Sequence, residues 1–332
     1  VFLLAHLSDP HLAPLPTPRL GELASKRLLG YLNWVRERRA IHRRDVLAAI
    51  VADLHAEKPD HIAVTGDLVN IALPAEIANA AHWLEALGPP ARLSLVPGNH
   101  DAYVPGAAAA CARAWAPYMA GDATGAHALQ DRGAASSSRV RGEGRGEGAS
   151  PLAGASVARP READEEHAAF PFLRVRGPVA LIGVSTAVAT GPFLATGRLG
   201  ARQIAAMSAL LAAQTERFRI VLIHHPPHVV PKSRFKRLVD AAAFRDPIAT
   251  TGAELVIHGH DHVRSLDYID GPHARVPVIG VPSASAAFGT DHDPAGYNLY
   301  RIDGSAGAWT CEVERRGLDT RGPVVICEQF AV

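Results

Sequence analysis

Arg92-Leu93-Ser94-Leu95-Val96-Pro97-Gly98-Asn99-His100-Asp101 is the stretch on which the fold of this chain turns. Its first half is a short apolar run of strand length, stopped by Pro97 and Gly98. Its second half sets an amide, an imidazole and a carboxylate side by side where that strand would end. Four other places repeat the design. Asp9-Pro10-His11 follows the apolar run 2–7, and Gly66-Asp67 follows 61–65. His224-His225-Pro226 follows 219–223, and Gly259-His260-Asp261-His262 follows 254–257. Residues 179–184 form a further run of the same kind.

Runs this short and this continuously apolar fit strands buried on both faces. Helical periodicity lies between them. Val46, Leu47, Ile50, Val51 and Leu54 share one helix face, as do Ile77, Ala81, Leu84 and Leu87, and Ile204, Met207, Leu210 and Leu211. Strands alternating with helices give an α/β fold. Residues 276–281, 297–302 and 309–313 follow without helices between them and are expected to pair antiparallel. Residues 121–169 break the pattern. The part 132–148 is rich in Gly, Ser and charge and has almost nothing to bury, so it reads as a mobile low-complexity insertion. The α/β pattern resumes after it, so residues 1–332 are expected to form a single domain.

Composition narrows the partners. Of 332 residues, 48% are hydrophobic and 20% charged, enough for a sizeable core. Lys plus Arg is 34 against 33 for Asp plus Glu, so net charge gives no reason to expect nucleic acid. The three cysteines, Cys111, Cys311 and Cys327, contain no CxxC pair, which suits a reducing compartment. Only five apolar residues precede His6, too few for a secretory signal core, so a cytoplasmic location is expected. Nothing in the sequence sets an oligomeric state. One local exception to the even charge is 19–44, where eight basic side chains face two acidic ones among Leu28, Leu29, Tyr31, Leu32, Trp34 and Val35. This stretch reads either as a solvated helix or as a patch for peripheral contact with a membrane.

The five polar clusters suit a two-metal centre. Asp, His and an Asn carbonyl make a mixed nitrogen and oxygen donor set, better matched to Mn, Fe or Zn than to Ca or Mg. Asp67 after Gly66 is the natural bridging carboxylate. Ligands at strand ends can meet in the crevice where open α/β sheets bind their ligands.

With D-x-H, G-D, G-N-H-[DE], H and G-H-x-H all intact and in order, the sequence resembles the calcineurin-like metallophosphoesterases from residue 3 to about 285. The resemblance implies a four-layer α-β-β-α sandwich with a dinuclear metal site at the strand ends. It implies that Asp9, His11, Asp67 and His262 hold one divalent ion, and Asp67, Asn99, His224 and His260 the other. Both His224 and His225 fit the family's spacing before proline; His224 is taken for its place at the strand end. His100 would act on the leaving oxygen, with Asp101 orienting its ring, and a hydroxide between the metals would attack phosphorus. His258 reads as a core histidine beside the site. His228 and His292 take the same structural reading, although both fall near the expected substrate mouth. The remaining histidines, His42 among them, lack ligand spacing.

Departures from neighbouring branches narrow the activity. Leu68-Val69-Asn70-Ile71 replaces the x-x-Asp-Arg-Gly that follows Gly-Asp in Ser/Thr protein phosphatases, and Asn70 stands where purple acid phosphatases carry a tyrosine ligand. About 45 residues remain after 285, read as completing the second sheet, which leaves no room for the capping domain of Mre11-like nucleases. The sequence resembles most the bacterial cyclic-nucleotide phosphodiesterases, which implies a small nucleotide-like phosphodiester as substrate. The alternative is a pyrophosphatase for UDP-linked diacylglucosamine at the membrane surface. A non-catalytic scaffold is the third reading, and the intact ligand set argues against it.

Overall fold

The computed structural model describes residues 1–122, 169–228, 233–289 and 293–332. The insertion expected at 121–169 therefore lies almost wholly outside the described residues, as does His292.

Two six-stranded sheets carry the fold. The first is built from β1 (Phe2–Leu7), β2 (His61–Val64) and β3 (Leu93–Leu95), joined by three late strands, β10 (Gly296–Asp303), β11 (Thr310–Leu318) and β12 (Val324–Ala331). Its order is β12-β11-β10-β1-β2-β3, with β1, β2 and β3 parallel and the rest antiparallel. The second contains β4 (Phe172–Arg176), β5 (Val179–Gly183), β6 (Phe218–Leu222), β7 (Leu255–His258), β8 (Ser265–Ile269) and β9 (Val276–Gly280), in the order β4-β5-β6-β7-β9-β8. Eight of the nine expected runs become strands within one or two residues of their predicted ends, and the ninth, 309–313, extends to Leu318.

Two expectations change. The run at 276–281 does not pair with the strands after it; β9 lies parallel to β7 and antiparallel to β8. The last three strands complete the first sheet, through β10 against β1, and not the second. Both outcomes follow from pairings distant in sequence, which local periodicity does not encode.

Helices cover the sheets. After α1 (Arg27–Asn33), a π-helical turn at Trp34–Arg38 leads into α2 (Arg39–Ile41). Then come α3 (Arg44–Ala56), α4 (Pro74–Leu87), α5 (Ala107–Ala114) and α6 (Ala116–Met119), and, in the second half, α7 (Ala201–Ala212) and α8 (Ala241–Thr251). The alternation of strand side chains shows the layering. On the second sheet, Leu181, Ile220, Leu222, Leu255 and Ile257 join a core shared with the first sheet. Their neighbours Ile182, Val221, Ile223 and Val256 pack instead with Met207, Leu210 and Leu211 of α7 and Phe244 and Ile248 of α8. Leu47, Ile50 and Leu54 of α3, with Ile77, Leu84 and Leu87 of α4, pack on the first sheet. The order is helix, sheet, sheet, helix. Leu222 is fully buried between the sheets, so Leu222→Ala would remove about 2–5 kcal/mol.

One buried carboxylate shapes the loop that feeds the site. Glu76, in the first turn of α4, accepts N–H bonds from Asn70, Ile71 and Leu73 at 2.6, 3.2 and 2.9 Å. Pro74 at the start of α4 has no N–H to satisfy. Bonds to a charged acceptor contribute about 1.5–3 kcal/mol each, so the loop after β2 is held in one shape.

Candidate metal centre

The five polar clusters leave the ends of β1, β2 and β3 in one sheet and of β6 and β7 in the other. Backbone bonds continue past the strands: Asp9 N–H to Gly66 O at 3.0 Å and His11 N–H to Asp67 O at 3.1 Å. The chain is strained here. Among the described residues, eight non-glycine residues have positive φ, and five of them are Asp9, His11, Asp67, His260 and His262. Each such residue costs about 1–3 kcal/mol unless its surroundings impose it, and such strain gathers at functional sites. Two glycines let the loops close up. A Cβ on Gly98 would collide with the Asp67 carboxylate, and one on Gly259 with Ser8 and Asp9.

The histidine tautomers are set from outside. Nδ1–H of His11 donates to Val69 O at 3.2 Å, and Nδ1–H of His224 to Thr65 O at 2.6 Å. Nε2–H of His260 donates to Lys236 O at 2.8 Å. A carbonyl can only accept, so in the neutral form of each ring the other nitrogen carries the lone pair and faces inward. The inward nitrogens crowd together: His11 Nε2 lies 3.4 Å from His262 Nε2, and His224 Nε2 lies 3.3 Å from His260 Nδ1. Imidazoles held by outer hydrogen bonds and aimed at a common point are what metal ligation requires.

Asp67 sits between the two groups. Its Oδ1 accepts the His100 N–H at 2.7 Å, and its Oδ2 lies 3.4 Å from His224 Nε2 and 3.9 Å from His11 Nε2. Asp9 closes one side, with Oδ1 at 3.1 Å from His262 Nε2 and Oδ2 accepting the His260 N–H at 3.0 Å. Asn99 Oδ1 is 3.2 Å from His224 Nε2. Asp9–His11–His262 and Asp9–Asp67–His224 are each close enough to share an ion. Burial alone would lower the His224 pKa, but the Asp67 carboxylate outweighs it and raises the ring to about 9. A buried carboxylate cluster that draws a proton onto a histidine is one that a cation would satisfy. The donor set therefore fits divalent ions.

His225 is turned elsewhere. Its Nδ1 contacts Thr186 Oγ1 at 2.6 Å and its Nε2 contacts Ala195 O at 3.1 Å, so both nitrogens have protein partners, although His225 also lies close enough to His224 and His260 to share an ion with them. Asp101 departs from the role expected of it. Its carboxylate does not touch the His100 ring; it accepts the backbone N–H groups of Gly98, Asp67, Leu68 and Val69 at 2.8–3.3 Å. The physical reason is the two adjoining loops, whose buried N–H groups need an acceptor. The His100 ring is held by Asn70 O at Nδ1 and stacks on Tyr103 at 5.5 Å.

Two side chains that carried no ligand spacing enter the site. Arg38 donates to His100 Nε2 at 3.1 Å and to His11 Nε2 at 3.0 Å. Burial, then Arg38, push His100 down to about 3, so its ring is neutral. His42 is buried, bonded through Nδ1 to Ser285 Oγ at 2.9 Å, with its ring 4.4 Å from that of His11. The sequence signal for Arg38 was the basic stretch itself, in which only the π-helical turn distinguishes the residue that points inward. Other basic residues there are also committed to protein groups: Arg27 to Ile71 O and Ala72 O, and Lys26 to Thr190 and Leu194 O. Among the described residues no helix is long and apolar enough to cross a membrane.

The sequence model of calcineurin-like phosphoesterases matches residues 2–264. Similar solved structures include a purple acid phosphatase from yellow lupin (Lupinus luteus) seeds, at 13% identity and a TM-score of 0.52, covering 99% of this chain and 53% of that one. A Vps29 variant from Entamoeba histolytica has 11% identity and a TM-score of 0.40, over 100% of this chain and 99% of the other. A 5'-nucleotidase precursor from Thermus thermophilus has 14% identity and a TM-score of 0.39, over 100% and 54%. The chain spans about half the length of the lupin and Thermus proteins. No curated protein matches it in sequence. At these identities the lupin structure speaks for the fold alone, but the sequence match runs through all five clusters of the site, and the chain belongs to the calcineurin-like phosphoesterase family.

Proposed function

We propose that the chain is a metal-dependent phosphodiesterase. The observation that carries this is a crevice of about 760 Å³ continuous with the metal cluster. One end is walled by Asp67, Asn99, His100, His260 and His262, and the other runs out between α1 and residues 192–195. A phosphate with a single small leaving group would leave most of that space to water, whereas a diester has a second substituent to place in it.

In this reading Asp9, His11, Asp67 and His262 hold one ion, and Asp67, Asn99, His224 and His260 the other. Two such ions, drawn from Mn, Fe or Zn, would neutralise phosphate charge and acidify the attacking water. The chain supplies the rest. Arg38 brings a forked, permanently charged donor to the same space, suited to two phosphate oxygens. His100, fixed through Asn70 O, presents Nε2 to the substrate on the leaving-group side. Asp101 and Glu76 keep the loops from opening.

The test is a hydrolysis screen with Mn²⁺ comparing cyclic nucleotides and bis-nitrophenyl phosphate with nitrophenyl phosphate. Preference for diesters by tenfold or more in kcat/KM is expected. A preference for the monoester would overturn the reading.

A further inference from the structure

Four of the thirteen large apolar side chains left exposed among the described residues line the crevice that holds the metal-binding cluster. Leu29 and Leu32 of α1 are 43% and 42% exposed, Leu194 is 38% exposed and Phe193 is 87% exposed. All four line the same crevice as the metal-binding residues. Phe193 is doubly costly. Its ring is open to water, and its φ of 64° places a bulky residue in the left-handed region. The fold gains nothing from that arrangement on its own. The two walls are tied together, because Lys26 of the residues before α1 donates to Thr190 O and Leu194 O, both at 3.3 Å.

The crevice is thus polar at its inner end and apolar at its outer end. Lys26, Arg36 and Lys236 lie along it against Glu37 and Asp261, and with Arg38 at its inner end they bring positive charge that suits a phosphate. We propose that the natural substrate is a phosphodiester carrying a hydrocarbon chain, seated against Leu29, Leu32, Phe193 and Leu194. This rests on the phosphodiesterase reading and names the substrate class. The apolar residues line the inside of a cavity shared with the metal cluster, and this continuity assigns them to the substrate's own chain.

Methyl phosphate and octyl phosphate, below its micelle concentration, serve as probes of the Mn²⁺-loaded protein by calorimetry. Octyl phosphate should bind about tenfold tighter or more, since each fully buried methylene contributes a several-fold factor. In the double variant Leu32→Ser, Phe193→Ser, with folding confirmed by its melting curve, the octyl-to-methyl ratio should fall by about threefold or more, Leu29 and Leu194 keeping the remainder. Equal affinities in the wild type would overturn the proposal. So would a ratio that survives in the double variant. Equal affinities together with binding to phosphatidylglycerol vesicles would give the apolar rim to a membrane instead, and together with self-association would give it to a second copy of the chain. If the gradient holds but no diester is hydrolysed, the phosphodiesterase reading falls and the chain-binding crevice stands. If neither phosphate binds, both fall.

Discussion

The Asp67 carboxylate and the His224 imidazole lie 3.4 Å apart across the junction of the two sheets, one at the end of β2 and the other at the end of β6. Of the proposed ligand set the first sheet delivers Asp9, His11, Asp67 and Asn99 and the second His224, His260 and His262, and Asp67 is where the two groups meet. Its two oxygens are used differently: one fixes the His100 backbone and the other faces histidines from both halves.

Asp67→Asn should therefore separate metal binding from folding. The amide keeps the shape and loses the charge that offsets the inward nitrogens. Metal content should fall below two Mn²⁺ per chain, and kcat/KM should drop by about 10²-fold or more, since even outer partners of metal ligands are worth 10–100-fold. Stripping the wild type with a chelator should give the same loss, reversed by Mn²⁺. Full activity with a single bound ion would refute the bridging role.

Asp101 should behave as a structural acceptor. Asp101→Ala leaves four backbone N–H groups, from Gly98, Asp67, Leu68 and Val69, without their partner in a buried loop. Burial and then Asp67 push the Asp101 carboxyl up to about 7, so its bonds count as ordinary ones, and leaving the buried N–H groups unpaired at about 1 kcal/mol or more each predicts a fall in unfolding free energy of about 3 kcal/mol or more. Urea unfolding measures it. An unchanged stability with an altered pH–rate profile would instead return Asp101 to orienting the His100 ring.

Acid should weaken the bond between α3 and the first sheet. Arg316 on β11 bonds Asp53 at 2.8 and 2.9 Å and Glu314 at 2.7 Å, and pairs with Glu57 at 3.2 Å. Burial acts to raise the Asp53 pKa, but hydrogen bonds from Arg316 and Tyr297 outweigh it and hold the carboxyl below its ordinary range. A carboxylate lowered by folding contributes stability that is complete above its unfolded pKa of about 3.9 and is lost as pH falls through the folded value. Arg316→Met should cost about 2 kcal/mol at pH 7, and the gap from wild type should shrink below pH 4. A gap that stays constant from pH 7 to pH 3 would show that the carboxylates contribute nothing through Arg316.

The candidate site was legible because its proposed ligands are announced locally: an apolar run, a glycine or proline, then Asp, His or Asn. Gly98-Asn99-His100 and Gly259-His260 could be placed at strand ends from six or so residues each. What the sequence withheld depends on distance. Strand β9 joins β7 and β8 because three-dimensional packing offers that edge, and nothing within residues 276–281 states it. Helix α8 was hidden by Pro247 in its interior, a residue that argues against a helix. The family resemblance made Asp101 a partner for His100, whereas its hydrogen-bond partners here are backbone groups, which carry no sequence signal. His42 looked unremarkable by spacing and reaches His11 only because Arg43 N–H bonds Ser285 O and draws the end of α2 against the loop after β9.

Arg38 is the clearest case, and it yields the last prediction. Eight basic residues between 19 and 44 looked alike in sequence, and this one enters the centre. Its guanidinium meets imidazole nitrogens that ions and substrate would claim, so an anion between the positive charges is what justifies its position. Arg38→Ala should leave metal content near two per chain while weakening the inhibition constant of inorganic phosphate by about 10–100-fold, the worth of one charged bond or a little more. Arg38→Lys should recover only part of this, because a point charge replaces a fork. KM should rise more than kcat falls if Arg38 holds the substrate in the ground state, and kcat should carry the loss if the bonds tighten only as phosphorus is attacked. Buried Trp34, at the start of the same π-helical turn, offers a second readout: its fluorescence should respond to phosphate in the wild type and not in Arg38→Ala. An alanine variant that binds phosphate as tightly as the wild type but takes up metal more tightly would show that Arg38 only fills the centre until ions arrive.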